Sequence, residues 1–202
     1  MNKNSETITD IDGNVYHTVT IGEQVWLVEN LKTTKYNDGT DIPYIVDAAE
    51  VWYGLNAPGY CWHNDDISNK NTVGALYNFY ALNTGKLAPK GWHIPTDDEW
   101  TVLAEFLGGS SIAGGKMKEV GTEHWLEPNT GATNSSGFSA LLAGFRGKSG
   151  FIPLSVGYTL FWSSTAFDEL DGLPRYLLFD KEELGRNNGG KYHGFAVRCL
   201  KD

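Results

Sequence analysis

The sequence reads as one domain, residues 1–202, that mixes short strands with a few helices, and three stretches carry that reading. Near the start, VYHTVTI and QVWLVENL alternate in polarity on either side of Gly22-Glu23, which predicts a two-residue hairpin over about 14–31. In the middle, GWHIPTDDEW (Gly91–Trp100) opens a helix. In the last third, YTLFWSST (Tyr158–Thr165), RYLLF (Arg175–Phe179) and GFAVRCL (Gly194–Leu200) read as a meander of strands.

The central helix is the best specified element. Pro95 pushes Ile94 out of the helical region, and Thr96 with Glu99 forms the reciprocal capping box. Asp97 and Asp98 fall in the first turn, where helix-end electrostatics suffices to explain them. Trp100, Leu103, Ala104 and Leu107 follow at helical spacing, and Gly108-Gly109 supplies the stop, so the helix covers about 97–107. A second helix is expected over about 73–83, with Tyr77, Tyr80 and Ala81 inward and Gly85 closing it. GGKMKEVG offers a short helical turn at most. The segment EHWLEPNTGATNSSG reads as a long loop, followed by a strand over about 138–144. In the last strand Phe195, Val197 and Cys199 alternate with Ala196, Arg198 and Leu200, so one row should be buried. Trp162, before Ser163-Ser164, belongs to the core.

Composition narrows the partners. Apolar residues make up 41% and aromatic ones 13%, with seven tryptophans, enough for a large aromatic core. The 24 glycines are scattered through turns, which points to many loops. A formal charge of −9 and a pI near 5.0 argue against nucleic acid, whose affinity comes from Lys and Arg displacing counterions. No apolar run approaches the eighteen or so residues that span a bilayer, and the start MNKNSE lacks the centre of a signal peptide.

Several motifs fail on inspection. DIDGN at Asp10–Asn14 has its glycine too early for a calcium loop and Ile21 where the bidentate glutamate belongs, so it is a turn. GGK lacks the first glycine and the Ser or Thr of a phosphate loop. Gly137-Phe138-Ser139-Ala140-Leu141 ends in leucine, not glycine, and is no nucleophile elbow. His17, His63, His93, His124 and His193 are dispersed and never share a helix face, a poor basis for zinc.

Seven stretches, in order, carry a likeness over nearly the whole chain: IGEQVWLVENLKTTKYNDGTDIP, PGYCWHND, GALYNFYALNTGKL, PKGWHIPTDDEW, GATNSSGFSALLAG, FWSST and GFAVRCLKD. They resemble the Fibrobacter succinogenes major paralogous domain. The resemblance implies an α+β, C-type lectin-like (sulfatase-modifying-factor-like) domain: two main helices on a twisted, mainly antiparallel sheet, N- and C-terminal strands adjacent, many loops. It further implies a cell-surface or extracellular protein of Bacteroidetes and relatives, often a lipoprotein, whose export signal would be missing from this chain. A subset looks like the variable proteins of diversity-generating retroelements, and about 147–193 is where their variation would fall. The family commonly carries a cysteine before P-x-G-W, where this chain has Ala88. Cys61 and Cys199 remain, and spacing leaves a disulfide and two buried thiols equally open. Lectin-like folds often hold calcium in loops, which makes Asp65 and Asp66 weak calcium candidates beside the plainer reading of a solvated acidic loop; no other cofactor is expected.

Formylglycine-generating enzymes need a cysteine pair in the C-terminal third, whereas only Cys199 lies there. The expectation is therefore a non-catalytic ligand-binding or adhesion domain for an extracellular protein or glycan. The alternatives are a formylglycine-generating-type oxidase using Cys199 and a structural surface or fimbrial component. Loops on a rigid scaffold concentrate recognition residues, with Tyr and adaptable polar neighbours favoured. The candidates are Phe151, Tyr158, Phe167, Asp168, Glu169, Arg175, Tyr176, Asp180, Arg186, Asn187, Asn188, Lys191 and Tyr192. Because alternate residues of each strand face the core, about half of them should be structural.

Overall fold

Strands β1 (Thr7–Thr9), β2 (Val15–Ile21) and β3 (Gln24–Leu27) open the chain in a computed structural model that describes residues 6–46 and 49–202. Ile21 lies opposite Gln24, so Gly22-Glu23 makes the expected two-residue turn, and Gly22 has φ +64°. The DIDGN segment is a turn: Asp10 Oδ1 accepts from the N–H groups of Asp12 and Asn14 at 3.0 and 2.9 Å. The two ends of the chain then meet. β13 (Leu200–Lys201) pairs with β3, Leu200 opposite Trp26, and with β6 (Trp92–His93), closing an antiparallel sheet in the order β1-β2-β3-β13-β6.

A second antiparallel sheet is built on the long hairpin of β9 (Tyr158–Ala166) and β10 (Asp171–Leu178). Its register slips between Gly172 and Pro174, as suits a residue with no N–H to give. The other edge of β10 carries two short strands, β11 (Gly185–Arg186) and β12 (Gly189–Gly190). Hairpins β4 (Tyr60–Trp62) with β5 (Ala75–Tyr77), and β7 (Phe145–Gly147) with β8 (Gly150–Ile152), complete the strands.

Four short helices lie among the described residues: α1 (Ala49–Tyr53), α2 (Phe79–Leu82), α3 (Asp97–Phe106) and α4 (Ser110–Met117). The architecture is α+β, mostly sheet. α3 starts as its sequence dictates: the Thr96 hydroxyl accepts from Glu99 N at 3.2 Å, and Glu99 Oε2 accepts from Thr96 N at 2.7 Å. Its inner face drives Trp100 against Trp26 (centroids 4.8 Å apart), Phe138 (5.8 Å) and Phe161 (5.7 Å). Trp26, Trp52, Trp100 and Trp162 are fully buried; each such ring removes a large apolar surface from water.

Four expectations need correction. The helix over 73–83 is confined to α2, because Ala75–Tyr77 pairs with β4 instead. A two-helix plan misses α1 and α4. α4 carries Gly114 and Gly115 because the helix lies so close to its neighbours that a Cβ at Gly114 would overlap the Glu183 carbonyl, and one at Gly115 that of Gly131. No strand runs over 138–144: Ser139 and Gly144 have φ +51° and +54°, and only isolated bridges at Ala140 and Gly144 remain. The final segment buries both rows. Phe195 through Leu200 are all buried, since Phe195 bridges to Tyr77 on one side and Ala196 to Phe161 on the other.

Two predictions follow from this packing. Helix propensity alone favours Ala over Gly by about 1 kcal/mol, yet Gly114→Ala should destabilise by about 1–3 kcal/mol, the cost of overpacking; a higher urea midpoint would contradict the packing. The second concerns His93, whose Nδ1 lies 2.8 Å from Asp202 Oδ1 and Nε2 3.0 Å from Glu99 Oε1. Partial burial pulls its pKa down, the two carboxylates pull it up further, and the net shift is upward from 6.5. A raised histidine contributes stability that is complete below pH about 6.5 and lost as pH rises through the higher folded value. NMR titration should place His93 above 6.5, and Asp202→Asn should lower it; a wild-type value at or under 6.5 would refute the assignment.

Candidate functional site

Arg175 on β10 and Arg186 on β11 stand directly opposite one another in the ladder. Like charges in that register repel, and one carboxylate resolves the conflict. Asp97, in the first turn of α3, is buried and divides its oxygens: Oδ1 takes Arg175 Nε at 2.8 Å and Nη2 at 2.7 Å, while Oδ2 takes Arg186 Nη2 at 2.8 Å. Arg175 also donates to the Asp97 carbonyl (2.9 Å) and Thr101 Oγ1 (2.8 Å). Burial lowers the pKa of Arg175 against the opposing pull of Asp97. The Asp97 N–H is held in turn by Thr165 Oγ1 at 3.0 Å, so helix, β9, β10 and β11 are joined at one point.

Above this ion pair opens a groove of about 610 Å³ between the starts of α3 and α4 and the edge of the second sheet. Its walls carry Asp98, Thr101, Ser110 and Ser111 on the helices, and Tyr176, Glu183 and Arg186 on the sheet side. Tyr176 lies flat over Gly185, directly opposite it in register, where any side chain would collide with the ring, and its hydroxyl donates to Glu183 Oε1 at 3.0 Å. A smaller hollow of about 220 Å³ shares Arg186 and adds Phe167, Leu173, Asn187 and Asn188. The rim is fixed by local bonds. Asn188 Nδ2 donates to Asp171 Oδ2 at 2.7 Å, Lys191 Nζ to the carbonyls of Asp168 and Glu169 at 2.7 and 2.9 Å, and Asp168 Oδ1 accepts from Leu170 N and Asp171 N.

Of the residues singled out from the sequence, Phe167, Tyr176, Arg186, Asn187 and Asn188 line this continuous face, and Asp168, Glu169 and Lys191 border it. Arg175 belongs to the floor rather than the surface, a correction that follows from its buried pairing with Asp97. Others are engaged elsewhere. Phe151 packs on His63 and under the Arg146 guanidinium, Tyr158 on Phe145, and Tyr192 on Tyr53 and His193. Asp180 is exposed, and its charge acts on Lys118. Asp97, Asp98, Thr101, Ser110, Ser111 and Glu183 were not anticipated. Asp97 gave no distinct signal, because a carboxylate in the first turn of a helix is already explained by the helix end, and its burial shows only in the fold.

The remaining candidates have other uses. Asp65 Oδ1 accepts from Arg146 Nη1 at 3.3 Å, and Asp66 accepts from Ser68 N at 2.9 Å. Among the described residues no group of three or more His, Cys, Asp or Glu side chains is placed to hold a metal ion. Cys61 and Cys199 are free, buried thiols, not a disulfide, and pack in different parts of the core. Burial pushes the Cys61 thiol up to about 12 and raises the Cys199 thiol as well. No helix among the described residues is long and apolar enough to cross a membrane.

The ladder, the capped helix and the closing C-terminal strand fall within residues 19–201, which match the model of the Fibrobacter succinogenes major domain. The chain belongs to that family. No curated protein and no solved structure is significantly similar to this member of the Fibrobacter succinogenes major domain family.

The Asp97 pairing makes a contrast measurable. Asp97→Asn should cost about 3–5 kcal/mol, because it strands the buried Arg175 without a counter-charge, whereas Arg186→Gln, at a half-exposed guanidinium, should cost under about 1 kcal/mol. Equal losses in urea denaturation would show that Asp97 does not act as the buried clasp.

Proposed function

We propose that the chain is a non-catalytic recognition domain on a C-type lectin-like frame, which holds an extracellular protein or glycan against the face centred on Arg186. One observation carries the reading: exposed side chains of the C-terminal third gather round a groove whose floor is locked by a buried ion pair. Arg186 is ion-paired with Asp97 through Nη2 and lines the groove, so a charged fork stands at its wall. Arginine forks, amides and an exposed aromatic ring are the groups that recurrent binding surfaces use. Phe167, 59% exposed beside Asn187 and Asn188, provides the aromatic anchor.

The cysteines support recognition over reaction. A catalytic thiol works as a thiolate that substrate can reach, and Cys199 is fully buried with its pKa raised. The same reading places the protein at the cell surface, as an exported lipoprotein of the adhesive kind found in Bacteroidetes. Where such a domain is diversified by a retroelement, variation within 147–193 would fall on the exposed positions 167–169 and 186–188 and spare the buried β9.

The test is a pair of arrays, glycans and extracellular peptides, read with the wild-type domain and with Phe167→Ala, Arg186→Ala and Asn187→Ala/Asn188→Ala. Each variant should lose about tenfold or more in affinity for the hit, the cost of removing a hot-spot contact, while keeping its thermal midpoint. A hit indifferent to all three places recognition elsewhere. Aerobic oxidation of a cysteine-containing peptide, abolished by Cys199→Ser, would overturn the non-catalytic reading.

A further inference from the structure

A second pocket, of about 250 Å³, shares no lining residue with the groove. It is enclosed by three stretches: the turn after β1, residues 33–37 and residues 87–90. The walls are stitched together before any ligand arrives. Asn37 N donates to the Lys86 carbonyl at 2.9 Å and Asn37 Nδ2 to the Ala88 carbonyl at 3.0 Å, while Thr33 Oγ1 donates to the Lys35 carbonyl at 2.8 Å. Leu87, Ala88 and Pro89 are buried and Ile11 is half exposed, so the pocket offers apolar surface.

The carboxylates here are bonded to the protein, and the two lining lysine ammoniums are not hydrogen-bonded. Lys35 and Lys90 both line the pocket, and neither ammonium group has a hydrogen-bond or ion-pair partner among the described residues. The one lining carboxylate, Asp10, is buried with both oxygens taken: Oδ1 by the N–H groups of Asp12 and Asn14, Oδ2 by Asn14 Nδ2 at 2.8 Å and Tyr16 Oη at 2.7 Å. Nearby Asp12 is held by Thr34 N and the hydroxyls of Thr33 and Thr34, and Asp38 by Lys86 at 2.8 Å. Two lysines without a hydrogen-bonded partner thus flank a partly apolar pocket, Lys35 within electrostatic reach of Asp12. Small-ligand sites join apolar lining to a few convergent polar groups.

We infer that this pocket binds a small organic anion, a carboxylate carried on an apolar body, with Lys35 and Lys90 holding the carboxylate and the Leu87–Pro89 floor receiving the body. Inorganic phosphate would forgo the floor, and a neutral ring would forgo the cations. The site is independent of the Arg186 face.

Benzoate is the probe, with benzamide as its neutral counterpart, followed by NMR on the full chain. Benzoate should shift the Ala88 and Ile11 methyl resonances saturably, and benzamide should bind about tenfold or more weakly, the worth of a charge-assisted contact. Lys35→Gln/Lys90→Gln should lose a similar factor while keeping the wild-type spectrum elsewhere, since Lys90 is exposed, Lys35 is only partly covered and neither ammonium is hydrogen-bonded. The inference is overturned by any of three results: no saturable shift at Ala88 and Ile11, equal binding of benzamide, or undiminished binding in the double variant.

Discussion

One carboxylate between two guanidiniums sets the geometry on which the candidate site depends. Without the Asp97 carboxylate, Arg175 and Arg186 would face each other across a ladder with no counter-charge between them. A buried ion pair contributes little net stability, because desolvation of both charges offsets most of the attraction, but breaking it leaves a charge stranded. Its use is therefore positional. It fixes the first turn of α3 against the edge of the second sheet, and the groove is the space left between them. The helix end did not need this acid, since Thr96 and Glu99 already satisfy each other; Asp97 is free to serve the sheet.

A fold with so much irregular chain must also find donors for carbonyls that no ladder reaches, because buried backbone groups left unpaired are costly. Long cationic and aromatic side chains supply them. Lys118 Nζ, buried, donates to the carbonyls of Thr130, Leu178 and Lys181 at 2.8–3.0 Å, and burial lowers its pKa to about 8. Arg198 spans the carbonyls of Leu27, Phe138 and Ser139 and the amide of Asn30, with its plane over the Phe138 ring at 4.4 Å. Trp125 and Trp162 give their indole N–H groups to Ala140 and Tyr77. These contacts tie loops from different parts of the chain to one another, which is how a loop-rich polypeptide presents a rigid surface.

What was legible in the sequence was what local chemistry determines. The two-residue turn at Gly22-Glu23 and the capping box at Thr96 each lie within a few residues, and both stand where the spacing put them. Partnership was not legible. Ala75–Tyr77 has helical neighbours and strand geometry because β4 pairs with it, and α4 carries two glycines because its neighbours leave no room for a Cβ. The alternation in Phe195–Leu200 was real, but it foretells a half-buried strand only when one face meets water, and here neither does. At the site, Asn187 and Asn188 could be found from composition and position. Arg175 could not be assigned to the floor, because the acid that buries it lies 78 residues away.

The pattern of burial along β10 explains how such a surface could change its specificity without losing its frame. Leu173, Arg175 and Leu177 are buried, whereas Tyr176 and Leu178, between and after them, are only partly covered. Gly172 to Arg175 are all buried, and from Arg175 onward period-two alternation separates the residues that hold the strand in place from the more exposed ones. The loop residues beyond it, Phe167 to Glu169 and Arg186 to Asn188, are exposed, and substitutions at exposed positions typically cost within about 0.5 kcal/mol. Stability therefore resides in the buried residues and their partners Asp97, Trp100 and Trp162, and the surface proposed for recognition is made of the others. On the proposed reading, a change of ligand would need substitutions in the second set alone.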